Sequence, residues 1–239
     1  MRINKYLSLC GVTSRRGAEV LIKKKRVIVN DLTVEKPGLV IDESKDVVKV
    51  NGTIVEPVER KYYILINKPR QVLTTLHDPF HRPTVTNFLK KSPARVYPVG
   101  RLDYDTEGAL LMTNDGELAY RLAHPKYEVE KIYLAEIDGP IKTEELEKLA
   151  NGIKLDDGHL GKAEAEIIYA SMKVSRVRLV LREGHKREVK QLMKGIGHPV
   201  RRLKRTCFAG LKVDNLNPGR WRLLNDGEIR RLQKLVGIV

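Results

Sequence analysis

The chain of 239 residues is long enough to bury a substantial core, either in one large domain or in two unequal ones. Hydrophobic residues make up 41% of the chain and charged residues 31%, and this balance excludes a disordered protein. The 45 Lys and Arg exceed the 30 Asp and Glu, so the formal net charge is +15; this excess indicates a phosphate-rich partner, for which nucleic acid is the best candidate.

Cysteine usage and hydropathy predict a cytoplasmic protein. The two cysteines, Cys10 and Cys207, lie far apart and form neither a disulfide framework nor a zinc signature, which suits a reducing compartment. Lys5 interrupts the N-terminus too early for the core of a signal peptide, and no apolar run is long enough to span a bilayer. We therefore expect neither secretion nor membrane insertion.

The six histidines do not predict a metal site. His77 and His81 are four residues apart, as two ligands on one helix face would be, but Pro79 between them argues against that helix. We therefore expect no bound metal.

The first 58 residues predict a small module of two helices and a β-ribbon. Apolar spacing indicates a short helix that ends near Gly11 and a second helix, capped by Ser14, along RRGAEVLIKK. RVIVND predicts a strand, and DVVKV and TIVE flank Asn51-Gly52, a strong hairpin signal. Pro57 and the charged run after it predict a domain boundary near residue 58.

Positive charge is concentrated in residues 1–26, which carry eight Lys and Arg against one acid. Such a run is often only a solvated helix face. Its placement favours RNA binding, because cations at both ends of one helix suit a surface that lies along a phosphate backbone. The predicted RNA-binding residues of this segment are Arg15, Arg16, Lys23, Lys24, Lys25 and Arg26.

From Lys61 onward, longer strands are interspersed with helices. The candidate strands are KYYILINKP, RVYPVG, ALLMTND, EKIYLAEIDG, AEAEIIYA and SRVRLVLRE, and the candidate helices are DGELAYRLAHP, KTEELEKLANG and KREVKQLMKGIG. Strands outnumber helices without regular alternation, which predicts an α+β fold with a mixed, largely antiparallel sheet flanked by helices. We expect residues 59–239 to form this second domain.

The segment GRLDYDTEG, residues 100–108, gathers three acids in a basic chain. Its two glycines allow a tight loop between strands, with Asp103 at the tip and Arg101 beside it. A solvated acidic turn and an active-site loop are both compatible with the nonapeptide alone.

Two further segments carry candidate functional residues. In EKIYLAEI, Tyr133 shares a strand face with Lys131, although most strand tyrosines are packing residues. REGHKREVKQLMK, residues 182–194, predicts a helix with one basic side that includes Lys186, Arg187 and Lys190. A second cationic cluster strengthens the prediction of an RNA-binding surface, although a basic helix face is commonly only solvated.

Four blocks of the sequence together resemble the ribosomal RNA pseudouridine synthases. They are GRLDYDTEGALLMTNDGELAYRLAHP, EVEKIYL, EGHKREVKQLM and RRLKRTCFAGLKVDNLNPGRWRLL, and the likeness runs from residue 1 to about residue 235. Residues 3–30 resemble the small RNA-binding module first known from ribosomal protein S-four, except that Asn30-Asp31 stands where that module usually has Asn-Gly. The branch of the family that the chain resembles carries this module ahead of the catalytic domain.

The resemblance implies a role for each matched residue. Asp103 matches the catalytic aspartate, which acts at the ribose of the target uridine either by attacking the anomeric carbon or by removing a sugar proton. Tyr133 matches the tyrosine that stacks on the base and removes its carbon-five proton. Lys190 matches the basic residue that pairs with the aspartate, and Arg101 the arginine that holds the flipped nucleotide open. Asp105 and Glu107 are expected to be structural residues of the loop.

The implied reaction is an isomerisation that needs no cofactor and no metal. The implied partner is ribosomal RNA or a ribosome assembly intermediate, and we expect the enzyme to act as a monomer. Large-subunit RNA is the favoured target, and small-subunit RNA is the alternative. A non-catalytic assembly factor would not require Asp103, Tyr133 and Lys190 together.

Overall fold

The computed structural model describes residues 1–238, and the chain divides into two compact units, Met1–Lys61 and a larger one that begins at Tyr62. The expected boundary near residue 58 lies in the irregular segment that precedes Tyr62. Among the described residues no helix has both the length and the apolar character needed to cross a membrane.

The N-terminal unit packs two helices on a small antiparallel sheet with the strand order β2-β1-β3-β4. Its elements are α1 (Ile3–Leu9), α2 (Arg15–Lys23), β1 (Val27–Val29), β2 (Leu32–Thr33), β3 (Val48–Val50) and β4 (Thr53–Ile54). The Ser14 side chain accepts a hydrogen bond from the Gly17 amide, as expected of a helix cap. The core of the unit is apolar and includes Leu7, Ile22, Val27 and Val48.

The turn between β1 and β2 accommodates its unusual second residue. Asn30 and Asp31 both adopt left-handed backbone angles, with φ of 50° and 67°, as a two-residue hairpin turn requires. The Asn30 side chain donates to the Asp46 carboxylate at 2.7 Å and accepts from the Val47 amide at 2.9 Å. These bonds stabilise the turn although aspartate occupies a position that favours glycine.

As far as residue 238, the larger unit contains a nine-stranded sheet, a separate two-stranded sheet and four helices. In chain order the strands are β5 (Tyr63–Lys68), β6 (Tyr97–Pro98), β7 (Thr106–Thr113), β8 (Lys131–Asp138), β9 (Ile153–Lys154), β10 (Leu160–Gly161), β11 (Glu164–Ala170), β12 (Val174–Leu181), β13 (Val200–Phe208), β14 (Leu211–Lys212) and β15 (Trp221–Leu223). The helices are α3 (Gly116–Ala123), α4 (Thr143–Asn151), α5 (Glu188–Gly195) and α6 (Asp226–Leu235), with 3₁₀ turns at Val85–Phe88 and Pro125–Tyr127.

The large sheet has the order β11-β12-β8-β13-β7-β5-β15, with β14 paired to β13 and β6 to β7, and β9 and β10 form the small sheet. Neighbouring strands run antiparallel except β13 and β7, which are parallel. The expected α+β fold with a mixed, largely antiparallel sheet is thus confirmed.

Strands β5 and β7 are buried on both faces, which explains their continuous apolar sequences. Alternate residues enter different cores: Leu65 and Leu111 pack on the side of α3 and α6, whereas Ile66 and Leu110 pack on the opposite side. A further core lies under α4 and α5, against β8 and β12. The sheet is therefore held rigidly at its centre, where the candidate functional residues lie.

Gly108 allows β7 and β13 to approach each other closely. Its φ is 114°, and a Cβ at this position would lie 2.1 Å from the Arg205 carbonyl oxygen. Any other residue would push β13 away. Gly108, the second glycine of the acidic motif, is therefore required for the close packing of the parallel strands β7 and β13.

Candidate active site

The loop that carries Asp103 connects β6 to β7 and is held at its base by the preceding segment of the unit. The Thr74 hydroxyl donates to the Leu102 carbonyl at 2.7 Å and accepts from the Leu102 amide at 3.2 Å. The Gln71 amide donates to the Tyr104 carbonyl at 2.7 Å. These bonds fix the residues on either side of Asp103, whose side chain remains 36% exposed.

Asp103 lies in a cleft of the larger unit together with Arg101, Tyr133 and Arg187. The empty space of this cleft is about 420 Å³, open solvent included. One wall is β8, which contributes Tyr133, and another is the segment from Glu183 to the first turn of α5. Residues that are distant in sequence thus meet in one place.

Lys190 contacts two acids of the loop. Its ammonium lies 4.0 Å from the Asp103 carboxylate and donates a shorter hydrogen bond to Asp105. Although burial opposes ionisation, the bond from Lys190 holds the pKa of Asp105 below its usual value. The expectation that Asp105 is only a structural loop residue is therefore incomplete, because Asp105 competes with Asp103 for the same cation.

Glu107 does have a structural environment. Its carboxylate is buried and accepts a hydrogen bond from Arg202 of β13 at 2.8 Å. On the same strand, Arg205 is buried and donates to the Ala109 carbonyl at 2.8 Å. These contacts attach the acidic motif to the parallel neighbour β13.

A buried lysine beneath the acidic loop was not predicted from the sequence. Lys68, the last residue of β5, is fully buried and donates hydrogen bonds to the Val72 and Pro69 carbonyls at 2.7 and 3.0 Å. Burial lowers the pKa of Lys68 to about 8, although Asp103 and the other acids of the loop favour its charged form. A lysine that ends a mostly apolar strand, YILINK, was the available sequence signal.

The wall of the cleft that runs from Glu183 to the first turn of α5 carries two acids, Glu183 and Glu188. The buried Glu188 accepts a hydrogen bond from the His185 amide at 2.8 Å, and burial raises the pKa of Glu188, with a further contribution from Glu183. Burial also lowers the pKa of Lys131 to about 8, with Arg205 acting in the same direction. The cleft and its immediate surroundings therefore combine ionisable groups whose pKa values are shifted in opposite directions, as is common at functional sites.

Of the predicted RNA-binding residues of the larger unit, Arg101 lines the cleft, and Lys186 and Arg187 directly precede α5. Lys186 and Arg187 are exposed, but α5 begins only at Glu188, and Arg187 adopts a left-handed conformation with φ of 56°. The interpretation of Lys186, Arg187 and Lys190 as one helix side is therefore wrong: the first two precede the helix. Because of this turn Arg187 contributes to the cleft lining.

The six predicted RNA-binding residues of the N-terminal unit lie at the two ends of α2. Arg15 and Arg16 form its first turn and Lys23 its last residue, whereas Lys24, Lys25 and Arg26 follow its end, with Lys25 left-handed at φ of 54°. All six side chains are exposed.

One group among the described residues has donor atoms spaced closely enough to hold a metal ion. It consists of His159, Glu183 and His185, which the sequence analysis did not connect. His77 and His81 are not part of any such group among residues 1–238, and no helix forms between them.

Comparison with known proteins places this geometry among RNA-modifying enzymes. The model of the family described as RNA pseudouridylate synthase matches residues 62–194. An uncharacterized RNA pseudouridine synthase of Aquifex aeolicus is 44% identical over 239 residues, which cover 100% of this chain and 96% of the relative. The ribosomal large subunit pseudouridine synthase B of Bacillus subtilis is 43% identical, with 98% of this chain and 96% of the relative covered. A crystal structure of a pseudouridylate synthase superimposes with a TM-score of 0.70 at 27% identity and covers 97% of this chain and 99% of its own.

Proposed function

The chain belongs to the RNA pseudouridylate synthase family, and on this basis we propose that it converts a specific uridine of large-subunit ribosomal RNA into pseudouridine. That it acts on RNA as a pseudouridine synthase follows from the family. The choice of large-subunit RNA is supported by the Bacillus subtilis relative, which is named for that subunit. Small-subunit RNA is the alternative target.

The observation that carries the proposed chemistry is the position of Asp103 in the cleft, opposite Tyr133 and within 4.0 Å of the Lys190 ammonium. The reaction breaks the bond between the uracil nitrogen and the ribose, rotates the base and joins its carbon five to the same sugar carbon. Asp103 acts on the ribose, either as a nucleophile at the anomeric carbon or as a base at the neighbouring sugar proton. The hydrogen at carbon five is released and the uracil nitrogen freed from the ribose gains a proton, so the product is an isomer of the substrate.

Tyr133 and Arg101 supply the remaining functions at the base. Tyr133 stacks on the uracil and accepts the proton that leaves carbon five. The target uridine must leave its stack to reach Asp103, and the exposed Arg101 beside the cleft occupies the space that the base vacates. The Lys190 ammonium supplies a positive charge beside the reacting carboxylate of Asp103.

We further propose that the N-terminal unit binds structured RNA, as the module of ribosomal protein S-four does. Support comes from the six exposed cations on and after α2. Because phosphate contacts position an RNA without reading its sequence, this unit provides affinity, and the cleft selects the uridine.

The test of the proposal is an isomerisation assay on ribosomal RNA fragments. Release of the carbon-five hydrogen from labelled uridine is measured on large-subunit and on small-subunit fragments, with the Asp103→Asn variant as the matched control. We expect release from one large-subunit fragment only, and none with Asp103→Asn, which keeps the size of the side chain but loses its charge and nucleophilicity. RNA affinity should remain nearly unchanged in that variant.

Two results would contradict the proposal in different ways. Activity on small-subunit fragments alone would retain the chemistry and reject the target. Equal activity of wild type and Asp103→Asn would reject Asp103 as the reacting group. Mapping pseudouridines in ribosomal RNA from cells with and without the gene would then identify the modified position.

A further inference from the structure

Two histidines and a glutamate converge on the rim of the cleft from two separate loops. His159 precedes β10, whereas Glu183 and His185 follow β12. The Nε2 atom of His159 lies 2.9 Å from Oε2 of Glu183, and Nε2 of His185 lies 3.7 Å from the same oxygen. Three donor atoms, one from each side chain, lie within 4.8 Å of one another.

These spacings suit a small divalent cation. With metal–ligand bonds of about 2.1 Å, the ligands of a tetrahedral ion are separated by about 3.4 Å. The two distances to the Glu183 oxygen lie on either side of that value. The imidazole rings are stacked, with centroids 3.9 Å apart, so a small rotation of each side chain would bring the three atoms onto one ion.

A neighbouring carboxylate orients the cluster in the way that metal-binding histidines require. Asp157 Oδ2 lies 2.9 Å from Nδ1 of His185, and its other oxygen accepts the backbone amide of His159 at 3.0 Å. A histidine whose Nδ1 donates to a carboxylate presents the lone pair of Nε2 to a ligand. Asp157 therefore places the donor atom of His185 on the side of Glu183.

Further acids lie beside the cluster. Besides Glu183 and Asp157, the buried Glu188 accepts the His185 amide through one carboxylate oxygen. Lys131 and Arg205 are nearby cations, and the Lys131 ammonium donates to the Val129 carbonyl. A divalent cation held by Glu183 and the two histidines would add positive charge next to these carboxylates.

We propose that His159, Glu183 and His185 bind one divalent transition-metal ion of the zinc class. A donor set of two imidazoles and a carboxylate selects Zn²⁺, Co²⁺ or Ni²⁺ over Mg²⁺ or Ca²⁺. The ion would join the loop between β9 and β10 to the segment that forms the wall of the cleft, since Glu183 and His185 line the space in front of Asp103. Its role is to hold that wall in place, and it takes no part in the isomerisation.

The experiment measures metal binding by the full-length protein, prepared without a polyhistidine tag and without RNA. Co²⁺ is titrated while its visible absorption is recorded, and Zn²⁺ affinity is measured by competition with a chromophoric chelator. We expect one equivalent to bind, with a spectrum that shows nitrogen and oxygen ligands. His159→Gln should weaken binding at least ~100-fold, and Asp157→Asn, which removes only the orienting carboxylate, by about 10–100-fold.

The controls separate this site from other sources of binding. His77→Gln removes a histidine that belongs to no such group among the described residues and should leave the affinity unchanged. Sulfur-to-cobalt charge-transfer bands would instead assign the ion to Cys10, which is partly exposed. Circular dichroism of each variant checks that the fold is kept, and Glu183→Gln provides a second ligand substitution.

Either of two results would overturn the site: affinity that is the same in wild type, His159→Gln and Glu183→Gln, or the absence of saturable Co²⁺ and Zn²⁺ binding in the wild type. Because no RNA is present, neither result depends on the substrate proposed above.

Discussion

The ammonium of Lys190 is closer to Asp105 than to Asp103: it donates a hydrogen bond to Asp105 and lies 4.0 Å from the Asp103 carboxylate. Lys190 projects from α5 and its side chain is only 10% exposed, whereas the two acids belong to the loop before β7. One cation therefore serves two carboxylates, and the balance between the two pairs is a property of the site that can be tested.

Replacing Lys190 by Met should reduce isomerisation. Without the ammonium, Asp103 and Asp105 lose the cation that both contact, and their like charges are left next to each other. We expect the rate at neutral pH to fall by ~10²-fold, a typical loss for a proton-transfer or charge-pairing group. The measurement is hydrogen release from labelled uridine.

Lys190→Arg is the matched control, because it keeps the charge and should retain most of the activity. Asp105→Asn makes Lys190 available to Asp103 alone, and we expect it to lower the isomerisation rate by less than about 10-fold. A Lys190→Met variant with the wild-type rate would show that the lysine does not influence the reacting carboxylate.

Substitutions at Tyr133 should separate stacking from proton transfer. Tyr133→Phe keeps the ring in the cleft and removes the hydroxyl, so we expect RNA affinity to be retained and the rate to fall by about 10²–10⁴-fold. Tyr133→Leu also removes the stacking face and should weaken substrate binding as well. Comparing kcat and KM for the two variants distinguishes these effects. If Tyr133→Phe and Tyr133→Leu lose the same amount in kcat and in KM, Tyr133 has a packing role alone.

The fold was predictable from the sequence up to about residue 197, where the apolar pattern is regular. Alternating or continuous apolar runs predicted the longer strands β5, β7, β8, β11 and β12, and Ser14 correctly predicted a helix cap. The strand β13 and the helix α6 were not predicted, because their sequences, VRRLKRTCF and DGEIRRLQKL, carry many charged residues among the apolar ones. The exact start of α5 was not predictable, because Arg187 resembles a helical residue in sequence and only the structure shows its left-handed conformation. That single turn removes Lys186 and Arg187 from the helix.

The site was predictable only as far as local motifs extend. The loop around Asp103 is a contiguous signal, whereas the contact between Lys190 and Asp105 joins residues of two different elements. The group formed by His159, Glu183 and His185 depends on how two loops meet, which no spacing in the sequence reveals. Lys68 was missed because a lysine at a strand end is usually exposed, whereas here it is fully buried and interacts with the acids of the loop.

Neutralising the cations of α2 should make RNA binding less sensitive to salt. Each phosphate contact contributes about 0.7–0.9 to the slope of log affinity against log salt, so Arg15→Gln with Arg16→Gln should reduce the slope by about 1.4–1.8. Binding of a ribosomal RNA fragment is measured at several salt concentrations. The same charge change at the exposed Arg230 and Arg231 of α6 is the control and should leave the slope nearly constant. Equal slopes for all three proteins would remove α2 from the RNA-binding surface.

The buried Lys68 should make the stability of the protein rise with pH under alkaline conditions. Its pKa in the folded protein is about 8, below the ordinary value of 10.5, because burial disfavours the charged ammonium. Between these two values the unfolded chain binds more protons than the folded one, so raising the pH favours the folded state. Below pH 8 both states are protonated, and the cost of burying the charge is present in full.

The measurement is the free energy of unfolding in urea from pH 7 to pH 10, for wild type and for Lys68→Met. The difference between the two proteins should be constant below pH 8 and then change in favour of the wild type, with a slope of at most about 1.4 kcal/mol per pH unit. Lys131 has a similarly lowered pKa, but it is present in both proteins and its contribution cancels in the difference. Lys68→Met also leaves the Val72 and Pro69 carbonyls without their donor, which adds an offset that does not depend on pH. A difference that stays constant up to pH 10 would show that Lys68 keeps its ordinary pKa despite its burial.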